Sequence, residues 1–318
     1  MLLKSLKIAV AAVLAIAIAG ELGLQYSATA GIITVLSIQN TKRETLKSAG
    51  NRGLAFLCAL LLAGICFGLL DFTLWAFVLY LFLFALFCIR MGWVEALAMD
   101  SVLITHFLAE QNMVPEMIVN ELALFLIGTG MGIGVNLHLH KKEAEFERLA
   151  DVVDEQIKGI LHRMSLWLPQ EDKSDYASDC FARLEEALEA AKRCAAANYN
   201  NALWKQDSYE MDYIRMREQQ SVVLKEIYIN IKRINFLPKQ AQQVAELLAS
   251  IENDYHKENT VEGLLIELEL FLEDMKAQEL PESREEFEAR AILFYILMQL
   301  RTLLQIKRDF IIIRLTRE

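Results

Sequence analysis

The sequence predicts an all-α protein in two parts: a six-helix transmembrane bundle over residues 1–142, followed by a cytoplasmic α-helical bundle over residues 143–318. Four observations carry that expectation. With 54% apolar residues and a mean hydropathy of +0.27, the chain is too hydrophobic for a pair of soluble domains. Charge is split unevenly: residues 1–142 hold nine basic and eight acidic side chains, a net +1, whereas residues 143–318 hold 23 and 34, a net −11. Twelve of the fourteen glycines fall in the first part, where helix backbones in lipid approach closely. Finally, the pattern beyond Lys141 is helical almost throughout, with no alternating β-rich run.

A membrane-crossing helix needs about 20 mostly apolar residues, with about 17 as a lower limit. Residues 8–24, 27–39, 53–70, 72–89, 93–109 and 119–138 qualify or nearly so. Lys4 and Lys7 before the first Ala-rich run resemble a signal peptide, but further apolar segments follow at once, so the run is expected to stay as a span. All nine basic residues of this region sit in four places: Lys4 and Lys7; Lys42, Arg43, Lys47 and Arg52; Arg90; and Lys141 and Lys142. Counted against the spans, all four are on one side. The positive-inside rule then puts both termini in the cytoplasm and makes this a multi-pass inner-membrane protein with an even number of spans. The second span is the irregular one. Residues 8–39 are too few for two full helices and a turn, and Gly20, Gly23, Ser27, Thr29 and Gly31 cluster there. The pair is expected to be shortened, tilted or locally unwound. A substrate site beside a broken helix and simple thinning of the bilayer both account for this.

Ionisable residues are costly in lipid, so Glu21, Glu95, Asp100, His106 and Glu121 need partners, a wet cavity or an interfacial position. At 100° per residue Glu95 and His106 are nearly eclipsed, with Met99 and Val102 between them, while Asp100 points elsewhere. A carboxylate and an imidazole on one face suit proton exchange near neutrality; the alternative is two hydrated residues at opposite surfaces. Glu121 shares the face of Gly128 and either greets a substrate or snorkels to water. The last span carries Gly128, Gly130, Gly132 and Gly134, two small-residue strips predicting close helix packing on both sides. His138 and His140 are about 200° apart on a helix and make no metal pair.

Other function classes find no support. An acidic second half argues against nucleic acid. Cys58, Cys66, Cys88, Cys180 and Cys194 form no CxxC pair and read as reduced packing residues. The signatures GxxxxGK[ST], HExxH and GxSxG are missing, so neither enzyme activity, a cofactor nor a metal is expected.

In the second part, Pro169, Pro238 and Pro281 separate periodic segments, predicting helices at about 142–167, 173–198, 206–236, 239–256, 260–278 and 283–316. The first is expected to continue unbroken from the sixth span. In the last, the apolar run Ala291 to Leu300 is followed by Arg301, Lys307, Arg308 and Arg314, so it cannot span. Leu293, Leu297, Leu300, Leu304, Ile311 and Leu315 instead form a core-facing stripe. Tyr199, Trp204, Tyr209 and Tyr213 are expected to pack in the core, with a ligand pocket as the other reading.

Several runs resemble a known family. Ser27-Ala28-Thr29-Ala30-Gly31-Ile32-Ile33, then Leu36-Ser37-Ile38-Gln39 and Thr41-Lys42-Arg43, are similar to segments of the aromatic acid exporter family, relatives of the fusaric acid resistance transporters. So are Ser101-Val102-Leu103-Ile104-Thr105-His106, Asn120-Glu121-Leu122, Gly128 and Asn136-Leu137. The resemblance covers the whole chain, since one branch of that family joins six spans to a helical cytoplasmic domain of this length. The chain departs from the pattern at Leu137-His138-Leu139-His140, in place of a proline-terminated turn.

The resemblance implies export of aromatic carboxylic acids or similar organic anions, driven by the proton gradient. No ATP-binding loop is present, so active transport would be secondary. Gln39, Ser101, Thr105 and Asn136 could offer hydrogen bonds to a carboxylate, and Lys42, Arg43, Lys47 and Arg52 could gather anions at the inner mouth or merely orient the chain. No intramembrane Arg or Lys is expected to pair with the substrate. Six short helices enclose little, which predicts a homodimer or higher homo-oligomer with a pathway near the subunit interface. The competing reading is a membrane-anchored sensor or scaffold whose helical bundle binds a ligand or protein.

Overall fold

A computed structural model describes residues 2–137, 142–202, 207–253 and 260–316. Among these residues the chain is all helix: α1 (Leu2–Glu21), α2 (Ala28–Ser37), α3 (Lys42–Leu70), α4 (Leu74–Met91), α5 (Val94–Glu110), α6 (Pro115–Leu137), α7 (Glu143–Trp167), α8 (Cys180–Asn201), α9 (Tyr209–Lys232), α10 (Gln240–Asn253), α11 (Glu262–Ala277) and α12 (Arg284–Leu315). Helices α1–α6 build one compact unit and the bulk of α7–α12 a second. Lys141, His138, His140 and Trp204, singled out in the sequence, lie outside the described residues.

Each of the six predicted apolar runs lies on one of the N-terminal helices, but α1 and α3 start six and eleven residues earlier than the runs they contain. Local chemistry sets their ends. Thr41 and Thr73 cap α3 and α4 by accepting from the Glu44 and Ala76 amides at 3.3 and 3.2 Å. Gly92, at φ 72°, closes α4 in a left-handed turn in which the Trp93 amide reaches back to the Cys88 carbonyl at 2.8 Å. Pro115 opens α6, where its missing N–H costs nothing. Outward-facing Leu61, Leu69, Trp75 and Phe82 are 65–77% exposed, the surface expected of helices whose solvent is lipid. By length and composition α3, α4, α6 and α12 could each cross a membrane; for α12 this goes against the sequence expectation, because its 18-residue apolar stretch is long enough even with Arg301 inside it.

The irregular second span resolves into a ten-residue helix preceded by an unwound turn. Residues 22–27 pass twice through left-handed backbone, at Gly23 (φ 68°) and Tyr26 (φ 58°). At 1.5 Å per residue α2 is about 15 Å long, half the hydrocarbon thickness. It packs on α6 and α1. The contact with α6 depends on two glycines: a Cβ at Gly128 would lie 2.5 Å from Ile33 and 2.7 Å from the Ala30 carbonyl, and one at Gly132 would lie 2.6 Å from Ser37. Cβ atoms at Gly130 and Gly134 would meet nothing within 4 Å, so within the chain only one of the two strips packs, not both as expected.

The C-terminal unit has its own core, with Phe146, Ile157, Leu224, Ile227, Leu248, Leu268, Leu293, Leu297, Leu300 and Leu304 buried in it. The predicted stripe on α12 holds as far as Leu304. It fails at Leu315, which is 67% exposed because the helix outruns its neighbours. Lys142 has φ −105°, ψ 58° and precedes α7, so α7 begins afresh and does not run on from α6. Tyr213 is buried, as core packing predicts.

Inside this core lies a charged network. Arg217, fully buried, reaches Asp154 Oδ1 at 2.9 Å and donates to Gln220 Oε1 at 2.8 Å. The Tyr213 hydroxyl donates to the same Asp154 oxygen, and Gln220 donates to the Leu303 carbonyl of α12 at 2.9 Å. Lys307, 1% exposed, has its ammonium pushed down to about 7 by burial, with Arg217 adding to the effect.

Candidate functional site

Two polar clusters sit at the two ends of α2. At its N-terminal end, His106 Nδ1 on α5 lies 2.7 Å from Glu121 Oε2 on α6. Glu121 is fully buried and His106 is 7% exposed, so their contact is made out of water, where an unanswered ionisable group is costly. Glu121 also accepts from Asn120 Nδ2 at 3.0 Å. Asn120 in turn ties down the unwound turn: its side chain accepts from the Gln25 amide at 2.8 Å and donates to the Gln25 carbonyl at 3.2 Å. The left-handed Tyr26 lays its ring on the imidazole, 4.0 Å between centroids and 5° from parallel, and donates to Glu110 at 2.7 Å. Thr29, in the first turn of α2, brings its hydroxyl to 3.4 Å from His106 Nε2. Both imidazole nitrogens therefore face oxygen atoms, an arrangement in which a proton can move from one side of the ring to the other.

At the C-terminal end of α2, Arg52 donates to the Leu36 carbonyl at 2.6 Å, a cation placed on the negative end of the helix. Arg52 is only 4% exposed. From the sequence Arg52 belongs to a basic cluster at the inner mouth, with no cation expected within the helices; in the structure Met99 and the end of α2 close over its guanidinium instead. Arg52 faces a cavity of about 380 Å³ that Gln39, Lys47, Ser48, Trp93 and Glu95 also line. Glu95 is 3.7 Å from Arg52, 3.2 Å from Ser48 Oγ and 3.4 Å from Gln39 Nε2. The proposed Glu95–His106 couple is thus not formed: eleven residues along α5 put the two about 16 Å apart, and each has a different partner.

The remaining candidates separate. Asn136 donates to the Gln39 carbonyl at 2.8 Å and to Thr45, fixing the backbone between α2 and α3. Thr105 donates to the Val102 carbonyl of its own helix, and Glu21 is exposed at the end of α1. Asp100 is fully buried, yet neither carboxylate oxygen has a hydrogen-bond partner among the described residues. Lys42 is half-buried, whereas Arg43 and Lys47 are exposed. Tyr26, Asn120, Glu110 and Ser48 were not foreseen. Asn120 adjoins Glu121 and Tyr26 adjoins the glycine-rich break, so their position in the chain was the available signal.

The family model described as "Aromatic acid exporter family member 1" matches residues 2–139, and that described as "Putative aromatic acid exporter C-terminal domain" matches residues 143–308. The chain belongs to the aromatic acid exporter family. Among relatives of this exporter-family chain, "Uncharacterized protein YqjA" of Bacillus subtilis (strain 168) is 26% identical over 307 residues, 96% of this chain and 95% of that protein. A solved structure, "Crystal structure of putative membrane protein from Clostridium difficile 630", is 23% identical, with a TM-score of 0.47, and covers 52% of this chain and 98% of that one. Membership accords with the several apolar helices: this is a membrane protein of a transporter family.

Proposed function

We propose that this family member is a secondary exporter of aromatic carboxylates, coupled to protons through the His106–Glu121 pair. The observation that carries the reading is that pair: an imidazole and a carboxylate, buried 2.7 Å apart, beside the unwound start of a half-length helix. A broken helix at membrane depth is where carriers hold their substrates and ions, and an imidazole changes charge near neutral pH. The one-sided basic residues support an inner-membrane orientation with both termini and the C-terminal bundle in the cytoplasm. In that frame α12 is a bundle helix, since its Lys307 and Leu303 join a buried network with α7 and α9. The working unit is a homodimer or higher homo-oligomer, because six helices, one of them half-length, enclose little pathway alone.

The test is flux of labelled benzoate in proteoliposomes, with internal pH followed by a trapped dye. Wild-type protein is expected to move both benzoate and protons, and His106→Gln or Glu121→Gln to cut both by tenfold or more (about 1.4 kcal/mol in the barrier). Absence of flux for any of a panel of aromatic acids overturns the reading. In a cysteine-free background, labelling of Lys47→Cys from outside intact cells overturns the orientation.

A further inference from the structure

The cavity at the C-terminal end of α2 is built around a cation that is fixed and an anion that is not. Arg52 is held by the Leu36 carbonyl at 2.6 Å, its side chain is 5% exposed, and its Nε has no partner among the described residues. Glu95 is 68% exposed, and three donors converge on one of its oxygens: Ser48 Oγ at 3.2 Å, Gln39 Nε2 at 3.4 Å and Arg52 Nη2 at 3.7 Å. Every one of these contacts is long for a charge-assisted hydrogen bond, which settles near 2.7–2.9 Å. Glu95 therefore engages these donors loosely.

From this geometry we infer that the cavity docks a planar aromatic monocarboxylate, and that Glu95 is a tethered stand-in occupying the donors until the ligand displaces it. Exchange of one carboxylate for another leaves the charge on Arg52 answered throughout, so the swap avoids an uncompensated buried cation. Trp93, half-buried at the start of α5, supplies an aromatic wall. The volume of about 380 Å³ falls in the range of small-ligand pockets. Lys47 and Glu44 at the rim offset each other, which leaves Arg52 to select a single negative charge. The inference rests on the export reading for its ligand class, and adds the site, the selecting residue and an internal competitor.

The experiment is calorimetric titration of benzoate into the full-length protein in nanodiscs, with benzyl alcohol and acetate as controls. Wild-type protein is expected to bind benzoate saturably, benzyl alcohol not at all, and acetate more weakly. Glu95→Gln is expected to tighten benzoate binding several-fold and Glu95→Ala further, because the competitor is gone; Arg52→Gln removes binding and Trp93→Ala weakens it. Unchanged or weaker binding in both Glu95 variants overturns the inference, as does equal binding of benzyl alcohol. Glu95 is exposed, so its variants decide the matter even where Arg52→Gln fails to fold. Benzoate flux without tightening in the Glu95 variants sinks this inference and leaves export standing. Tightening without any flux does the reverse.

Discussion

Replacing Gly128 by alanine tests the packing that sets α2 in place. The new Cβ would lie 2.5 Å from Ile33 Cβ and Cγ2 and 2.7 Å from the Ala30 carbonyl oxygen. Neither neighbour is the free end of a flexible side chain: Ile33 is β-branched and 1% exposed, and the carbonyl belongs to the helix backbone. Carbon atoms settle at about 3.5–4.0 Å, so α2 must back away from α6 by about 1 Å. Overpacking of this kind costs about 1–3 kcal/mol, while alanine in place of glycine within a helix returns about 1 kcal/mol. The net expectation for Gly128→Ala is a loss of up to about 2 kcal/mol. Gly130→Ala, with nothing within 4 Å, keeps the helix gain alone. The difference between the two variants is the sharper quantity, about 1–3 kcal/mol. It is read by thermal unfolding of the purified detergent-solubilised protein. Benzoate flux should fall in Gly128→Ala as well, because a displaced α2 carries Thr29 away from His106. A Gly128→Ala protein as stable as Gly130→Ala would refute the reasoning.

Two further expectations concern the C-terminal unit. The Lys307 ammonium is pushed down to about 7 by burial, so between pH 7 and about 10 the unfolded chain binds the proton that the folded chain has lost. Stability of the full-length protein is therefore expected to rise with pH across that window. Lys307→Met should flatten the rise and stabilise the protein at pH 7 in denaturant titrations; an unaltered pH slope rules the account out. Asp154→Asn leaves Arg217 buried without its carboxylate, an expected loss of about 3–5 kcal/mol. The double replacement Asp154→Leu with Arg217→Met should recover most of it in the same titration, and a single-variant cost under about 1 kcal/mol would show the pair to be dispensable.

The helices were readable because each is a local statement. Apolar runs of sufficient length and prolines between periodic segments located all twelve, with the starts of α1, α3 and α8 the least well placed: α3 begins at Lys42, eleven residues before its apolar run, because its first three turns are polar. Even the short α2 announced itself, through too few residues between Lys7 and Gln39. The site was half-legible. His106, Glu121, Glu95, Gln39 and Arg52 were all singled out, but only Glu95 and His106 were considered as a pair, with separate placement at opposite surfaces as the alternative. Eclipsed positions on one helix suggested Glu95 with His106, whereas each found its partner on another helix, and helix-to-helix register leaves no periodic trace. The burial of Arg52 was hidden for the same reason: near the N-terminal end of a long helix it reads as interfacial until α2 ends beside it. Tyr26 escaped because a left-handed tyrosine is rare, and nothing in its neighbours requires the conformation.

The shortness of α2 has a mechanical consequence. Both of its ends are fastened by side chains from other helices, Asn120 on the Gln25 backbone at one and Arg52 on the Leu36 carbonyl at the other, while its middle bears on the bare backbone of Gly128 and Gly132. A rigid rod resting on a fulcrum cannot lift one tip without lowering the other. Any rocking of α2 that draws Thr29 away from His106 therefore shifts the Leu36 carbonyl against Arg52 at the same moment, so the two polar clusters are joined through one beam.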